Sequence, residues 1–142
     1  MLKKSLILLA LPLLAAGCAS ESGAGSAPDL AGHAYGWTGG TTESCGQPPY
    51  ISFGTDGSVA GLASCNRLLG QYRQKGDRLD LSGLGTTMML CAPDTMKSER
   101  AFLGFLAKAK RVAAADGGAI ELRDSSGAKI VTLVPVNPGK CD

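Results

Sequence analysis

The sequence predicts a mainly β fold, an α+β chain whose curled antiparallel sheet or barrel-like wall has about eight strands and one packed helix. Three observations carry this reading. Short apolar-alternating runs recur along the chain, separated by glycine-rich turns. Twenty glycines imply many turns, which favours strands over a helix bundle. After Cys91 alone does the apolar spacing switch from two to three or four residues. Hydrophobic residues make up 44% of the chain and aromatics only 5%, so the core is to be built from Leu, Val, Ile, Ala and Met.

The elements follow in order. Leu30 to Trp37 alternates, with His33, Tyr35 and Trp37 on one side, and reads as a first strand. The polar, glycine-rich Thr38 to Gln47 is a loop carrying Cys45. Pro48-Pro49 leads into a second strand, Tyr50 to Phe53, and Gly54-Thr55-Asp56-Gly57 turns the chain into a third, Ser58 to Ala63. Leu68 to Gln74 is a fourth strand. Lys75-Gly76-Asp77 turns into a fifth, Arg78 to Leu81, with Leu79 and Leu81 inward. Gly83-Leu84-Gly85 permits a bend or bulge, and Thr86 to Leu90 is a sixth strand, with Met88 and Met89 in the core. The stretch Gly57 to Cys91 thus organises the domain as a small sheet with a cysteine near each end.

A helix is expected from about Thr95 to Ala109, after Pro93, with Asp94 or Thr95 as N-cap. Glu99 lies toward its positive end, and Lys108, Lys110 and Arg111 toward its negative end. Met96, Phe102, Leu103 and Leu106 mark its buried face. Weak strand character at Arg111 to Ala115 is followed by a turn at Asp116-Gly117-Gly118. Strands then follow at Ala119 to Arg123 and, after the turn Asp124 to Gly127, at Lys129 to Val134. Pro135 and Pro138 end the regular structure.

The N-terminus reads as an export signal. Lys3 and Lys4 form a basic region, and Ser5 to Leu14 is an apolar run too short to span a bilayer. It ends in Ala15-Ala16-Gly17-Cys18, which resembles the bacterial lipobox. That resemblance implies cleavage after Gly17, a signal peptide of residues 1–17, and acylation at Cys18, so that the partner is a membrane reached through a lipid anchor. Ala19 rather than Asp after the cysteine favours, by analogy with lipoprotein sorting, an outer-membrane protein facing the periplasm. Residues 18–28 form a lipidated flexible tether, 29–136 the folded domain, and 137–142 a tail with a cysteine. Net charge is +2, and without Lys3 and Lys4 the two signs balance, so the mature domain carries no electrostatic footprint for nucleic acid.

Setting Cys18 aside, Cys45, Cys65, Cys91 and Cys141 remain, an even number in an exported chain. Four cysteines allow three pairings. The favoured one joins Cys65 to Cys91, each closing an element of the central sheet, and Cys45 to Cys141, tying the long loop to the tail. The sharper alternative is a metal or redox site. With no C-x-x-C pair and His33 as the sole histidine, no metal and no cofactor is expected.

Gly61-Leu62-Ala63-Ser64-Cys65-Asn66-Arg67, followed by Gly70-Gln71-Tyr72 and later by Thr87-Met88-Met89-Leu90-Cys91 ahead of Glu99 and Phe102-Leu103, resembles the META domain of HslJ-type bacterial lipoproteins. The family often has an arginine between threonine and methionine, whereas here Thr87 abuts Met88. The resemblance spans roughly Leu30 to Val134. Cys45 and Cys141 lie outside the clear family pattern. It implies an antiparallel β fold with a packed helix, and an envelope lipoprotein of the heat-shock and drug-tolerance type. It brings no catalytic residues. Gly61, Asn66, Arg67, Gly70, Tyr72, Thr87 and Met88 are its motif positions.

Among these, Asn66-Arg67 is the most tempting polar pair. Its structural reading is a strand-end turn at Asn66, with Arg67 placed to pair with Asp80 or Glu99. No G-x-S-x-G, H-E-x-x-H or phosphate-binding loop occurs. The expectation is therefore a non-enzymatic, lipid-anchored envelope protein that supports envelope integrity, or stress and drug tolerance, through a protein or cell-wall partner. The alternative is a periplasmic small-molecule or peptide binder, protease-inhibitor-like in role, whose barrel mouth would open near Trp37 or Met89. A hydrolase or oxidoreductase would have to use His33, Cys65 or Cys91.

Overall fold

The computed structural model describes residues 26–43 and 46–139. Eight strands form a closed antiparallel ring in chain order: β1 Ala34–Gly36, β2 Tyr50–Phe53, β3 Ser58–Leu62, β4 Arg67–Lys75, β5 Arg78–Thr86, β6 Arg111–Ala114, β7 Ile120–Arg123 and β8 Lys129–Pro135. β8 returns to β1 through Tyr35↔Pro135 and Gly36↔Val134. The helix α1, Pro93–Lys108, lies between β5 and β6 in sequence and packs on β5, β7 and β8.

Strict alternation builds the interior. Ile51 and Phe53 of β2, Leu79 and Leu81 of β5, Ile120 and Leu122 of β7, and Val131 and Leu133 of β8 point inward. Phe102 and Leu106 of α1 complete the same core, with Trp37 stacked against Phe102 and edge-on to Phe105. These side chains pack together as one core inside the ring.

Three predicted boundaries move. The first strand is only Ala34–Gly36. Gly32, at φ 80°, turns the chain before it, and His33 N–H donates back to Leu30 O at 3.1 Å. Leu30 is fully buried and His33 exposed. Next, β5 does not end at Leu81. Its register against β4 shifts between Gln71 and Arg73, with Leu81 and Ser82 opposite the single residue Tyr72. This bulge resets the alternation: Leu79 and Leu81 are inward before it, and Leu84 and Thr86 are the more buried positions after it. Gly83-Leu84-Gly85 is thus strand rather than a bend.

Finally, Thr86 to Leu90 is not a sixth strand. Residues 87–92 form a loop, and Met88 and Leu90 are 96% and 90% exposed instead of packed in the core. The physical reason is a side chain, Asn66, that occupies the backbone of Met89 (below). The helix starts at Pro93 with Ala92 as N-cap and makes no cap hydrogen bond from its own side chain. Glu43 serves instead, its Oε1 accepting from Ala92 N–H at 3.0 Å and from Thr95 Oγ1 at 3.2 Å. The buried line of the helix runs Thr95, Ser98, Glu99, Phe102, Leu106, so its first half is polar, and Met96 and Leu103 are only half-buried.

Candidate functional site

Ala63-Ser64-Cys65-Asn66 joins β3 to β4, and all four residues are buried. Ala63 N–H donates to Asn66 O at 2.8 Å, closing a tight turn. Ser64 sits at φ 124°, a conformation that side chains disfavour and that surroundings must hold. The restraint is a serine pair. Ser64 Oγ and Ser98 Oγ lie 2.8 Å apart, and Thr41 N–H donates to Ser98 Oγ at 2.9 Å.

The turn aims two consecutive backbone N–H groups at α1. Cys65 N–H and Asn66 N–H both donate to Glu99 Oε2, at 2.9 and 2.7 Å, while Asn66 Nδ2 donates to Glu99 Oε1 at 2.7 Å. Glu99 is only 4% exposed. A buried carboxyl needs such donors when no cation is near. Arg67 does not supply one. The ion pairs among the described residues are Arg111–Asp77 and Arg123–Glu121, so neither expected partner, Asp80 or Glu99, pairs with the exposed Arg67.

The other face of the Asn66 amide grips the loop after β5. Asn66 Oδ1 accepts from Met89 N–H and, at 3.1 Å, from Thr87 Oγ1, and Asn66 Nδ2 donates to Met89 O at 3.2 Å. A side-chain amide thereby mimics a strand neighbour for one residue, which leaves the backbone of 87–90 no ladder to join. Thr87 also pairs with Arg67: Arg67 N–H donates to Thr87 Oγ1 at 3.0 Å, and Thr87 N–H to Arg67 O at 3.1 Å. Cys65 and Cys91 form a disulfide, Cα atoms 5.9 Å apart, which pins the far side of the loop. Among the described residues no buried side-chain nitrogen or oxygen lacks a partner. The cluster is a clamp, and what it presents is an apolar tip: Met88, Met89 and Leu90, with 56% exposure at Met89.

The remaining motif residues shape the sheet. A Cβ on Gly61 would lie 2.3 Å from Tyr50 O, and one on Gly70 2.2 Å from Gly83 O. Gly70 also holds φ 145°. Tyr72, opposite the bulge, donates its hydroxyl to Gly54 O at 2.9 Å and packs edge-on to Phe53 at 4.8 Å. Met88 alone has no structural task. Cys18, Cys45 and Cys141 lie outside the described residues, and the predicted lipidation and the Cys45–Cys141 pairing lie there with them.

Sequence reading missed Glu99 as the partner of Asn66, and nothing local signals it, since the two are 33 residues apart. It also missed a repeated signal that was present. Asp56-Gly57-Ser58, Asp80-Leu81-Ser82 and Asp124-Ser125-Ser126 each fold so that the aspartate accepts from the serine N–H two residues on, at 3.0, 2.9 and 2.9 Å. Serine hydrogen bonds hold all three carboxyls below their ordinary range. Burial, with Asp29 nearby, pushes the Tyr35 hydroxyl up.

A groove enters the side of the sheet where the wall between β5 and β6 is open. It has a volume of about 410 Å³ and runs between β5 and α1.

A family profile described as the META domain matches residues 32–136. An NMR structure of a protein from Burkholderia xenovorans superposes with a TM-score of 0.59 at 23% identity, over 79% of this chain and 93% of that one. A second NMR structure gives a TM-score of 0.54 at 25% identity, over 73% and 89%. No curated protein matches. The two superpositions share the architecture, while the profile spans both halves of the clamp, from Asn66 to Glu99; the chain belongs to the META domain family.

Proposed function

We propose that this is a non-enzymatic protein of the bacterial envelope, fastened by lipid at Cys18 to the outer membrane and facing the periplasm, that supports envelope integrity under stress or drug exposure by docking a protein partner. The observation that carries the reading is the clamped apolar tip. A loop held by a side-chain amide, a disulfide and a buried carboxyl is costly to build, yet it displays Met88 and Leu90 to solvent. Exposed apolar groups held rigid have little ordering entropy left to lose, which favours association. The polar atoms of the clamp are engaged with one another rather than aimed at a cavity, in keeping with a structural and not a catalytic role.

The test is complementation of a deletion strain with Met88→Ser/Leu90→Ser. The variant folds normally, reaches the envelope and fails to restore tolerance, and a photo-crosslinker at position 88 of the otherwise unaltered chain captures a partner. Full complementation by the variant overturns the reading.

The second reading, a peptide binder of protease-inhibitor type, is favoured over a small-molecule binder by one observation. The apolar groove beside β5 runs along a strand whose edge is unpaired beyond Arg78, and a row of backbone groups suits a peptide better than a small molecule.

A further inference from the structure

The ring is closed unevenly. β5 and β6 are joined at one ladder position, Arg78↔Arg111, with Leu79 N–H donating to Lys110 O at 3.0 Å and Val112 N–H to Asp77 O at 2.8 Å. Beyond that point β6 diverges. From Asp80 to Thr86, β5 keeps β4 on one side and has no strand on the other. At about 3.3 Å per residue, this open edge is roughly 20 Å long. Such an edge offers a row of backbone donors and acceptors, and proteins ordinarily cover it or blunt it with charge.

Here Asp80 sets a carboxylate at the start of the edge and its Oδ1 already takes the Ser82 N–H, while Gly83 to Thr86 carry no charge. The helix packs on β5 without covering its whole length, and the space left between them is the groove of about 410 Å³, walled by Leu81 and Leu84 on the strand side and by Leu103, Leu106 and Ala107 on the helix, with the core residues Leu68 and Ala109 also lining it. Ser82, Gly85 and Thr86 of the strand itself also line it, so the edge faces open space. Lys110, at the end where the ladder closes, is the single charged residue of that lining.

We infer that the β5 edge from Asp80 to Thr86 takes an extended segment of a partner protein as an added strand, its apolar side chains entering the β5–α1 groove and an acidic group meeting Lys110. The inference rests on the reading above, that the protein works through a protein partner, and names the partner's chemistry. Only a polypeptide in extended form repeats donors and acceptors at the spacing of a strand edge. A second copy pairing through its own β5 fits poorly. Its leucines at 81 and 84 are already committed to its own groove and core, and Ser82, Gly83 and Gly85 bring nothing large enough to fill the groove.

The probe is a synthetic heptapeptide alternating valine and threonine and ending in glutamate, added to the full-length protein. Hydrogen–deuterium exchange slows at residues 81–86, and N-methylation of alternate peptide amides, which removes ladder donors while keeping the side chains, weakens binding by at least about tenfold. Ala107→Trp, which fills the groove from the exposed side of the helix, abolishes binding while leaving the melting temperature unchanged. Binding that survives N-methylation, protection confined to 87–92, or no binding at about 1 mM overturns the inference. Concentration-dependent dimerisation that protects 81–86 without peptide also overturns it, in favour of a second copy. The two readings separate cleanly. If Ala107→Trp restores tolerance in the deletion strain while Met88→Ser/Leu90→Ser does not, the groove is not the docking site and the apolar tip still is.

Discussion

Asn66 and Glu99 are joined twice, by the backbone N–H and the side-chain amide of Asn66, and the preceding N–H of Cys65 adds a third bond to the same carboxylate. Because the same amide also holds Met89, one side chain ties the β3–β4 turn to α1 and to the loop between β5 and α1. Removing it therefore orphans groups on two elements, α1 and the loop after β5. Asn66→Ala leaves Glu99 Oε1 and both backbone groups of Met89 without these partners. It is expected to cost about 2–4 kcal/mol in urea unfolding. Asn66→Asp, of the same shape, costs more, because it sets a second carboxyl against Glu99. Equal stability of all three proteins would show that the clamp is ornamental.

How much of this was legible in the sequence follows from how far apart the partners sit. Turns at Gly54–Gly57, at Gly76-Asp77 and at Asp124–Gly127 are set by adjacent residues, and the hairpins they close stand where the pattern puts them. The Asn66 grip on Met89 spans 23 residues and the Glu43 cap of α1 spans 49, so local periodicity gives no sign of either. The run Thr86 to Leu90 has good strand character on its own. It fails to be a strand because a side chain reached its backbone first. The β5 bulge hides for a related reason: a shift in parity at Leu81-Ser82 makes Gly83-Leu84-Gly85 look like a break. Within the clamp, Asn66, the cysteine pair and Glu99 were visible in the motif, but Glu99 was legible only as a helix-dipole residue or a partner for Arg67, not for Asn66.

Glycines divide into those the fold requires and those it tolerates. Gly61→Ala drives a methyl to within 2.3 Å of Tyr50 O in the neighbouring strand. The sheet must part there, at an expected cost of about 1–3 kcal/mol or more. Gly104, inside α1, has nothing within 4 Å of a built Cβ. Gly104→Ala therefore stabilises by about 0.5–1 kcal/mol through helix propensity. Thermal melts of the two variants should move in opposite directions.

The three aspartate–serine turns give the fold an acid-sensitive component. Asp56, Asp80 and Asp124 have folded-state values below the unfolded 3.8. Their contribution is accordingly full above that value and is lost as pH falls through the folded values. Stability should hold from neutrality to about pH 4 and then decline. Replacing all three by Asn keeps a turn-forming oxygen but removes the proton-binding site, so the decline becomes shallower. The measurement is melting temperature against pH for both proteins. Parallel curves below pH 4 would place the acid sensitivity elsewhere.

The Cys65–Cys91 bridge closes 26 residues of separation, for which the chain-entropy account gives about 3–4 kcal/mol. Its local effect is more specific than that figure. The Asn66 amide holds 87–90 from one side and the bridge holds Cys91 from the other, so cutting the bridge leaves the tip secured at one end. In Cys65→Ala/Cys91→Ala the amides of residues 88–91 should exchange with solvent faster than the general loss of stability explains, while β2, β7 and β8 keep their relative order of protection. Uniform acceleration across all strands would mean that the bridge acts only on the unfolded chain, and that Asn66 and Thr87 are sufficient to hold the tip.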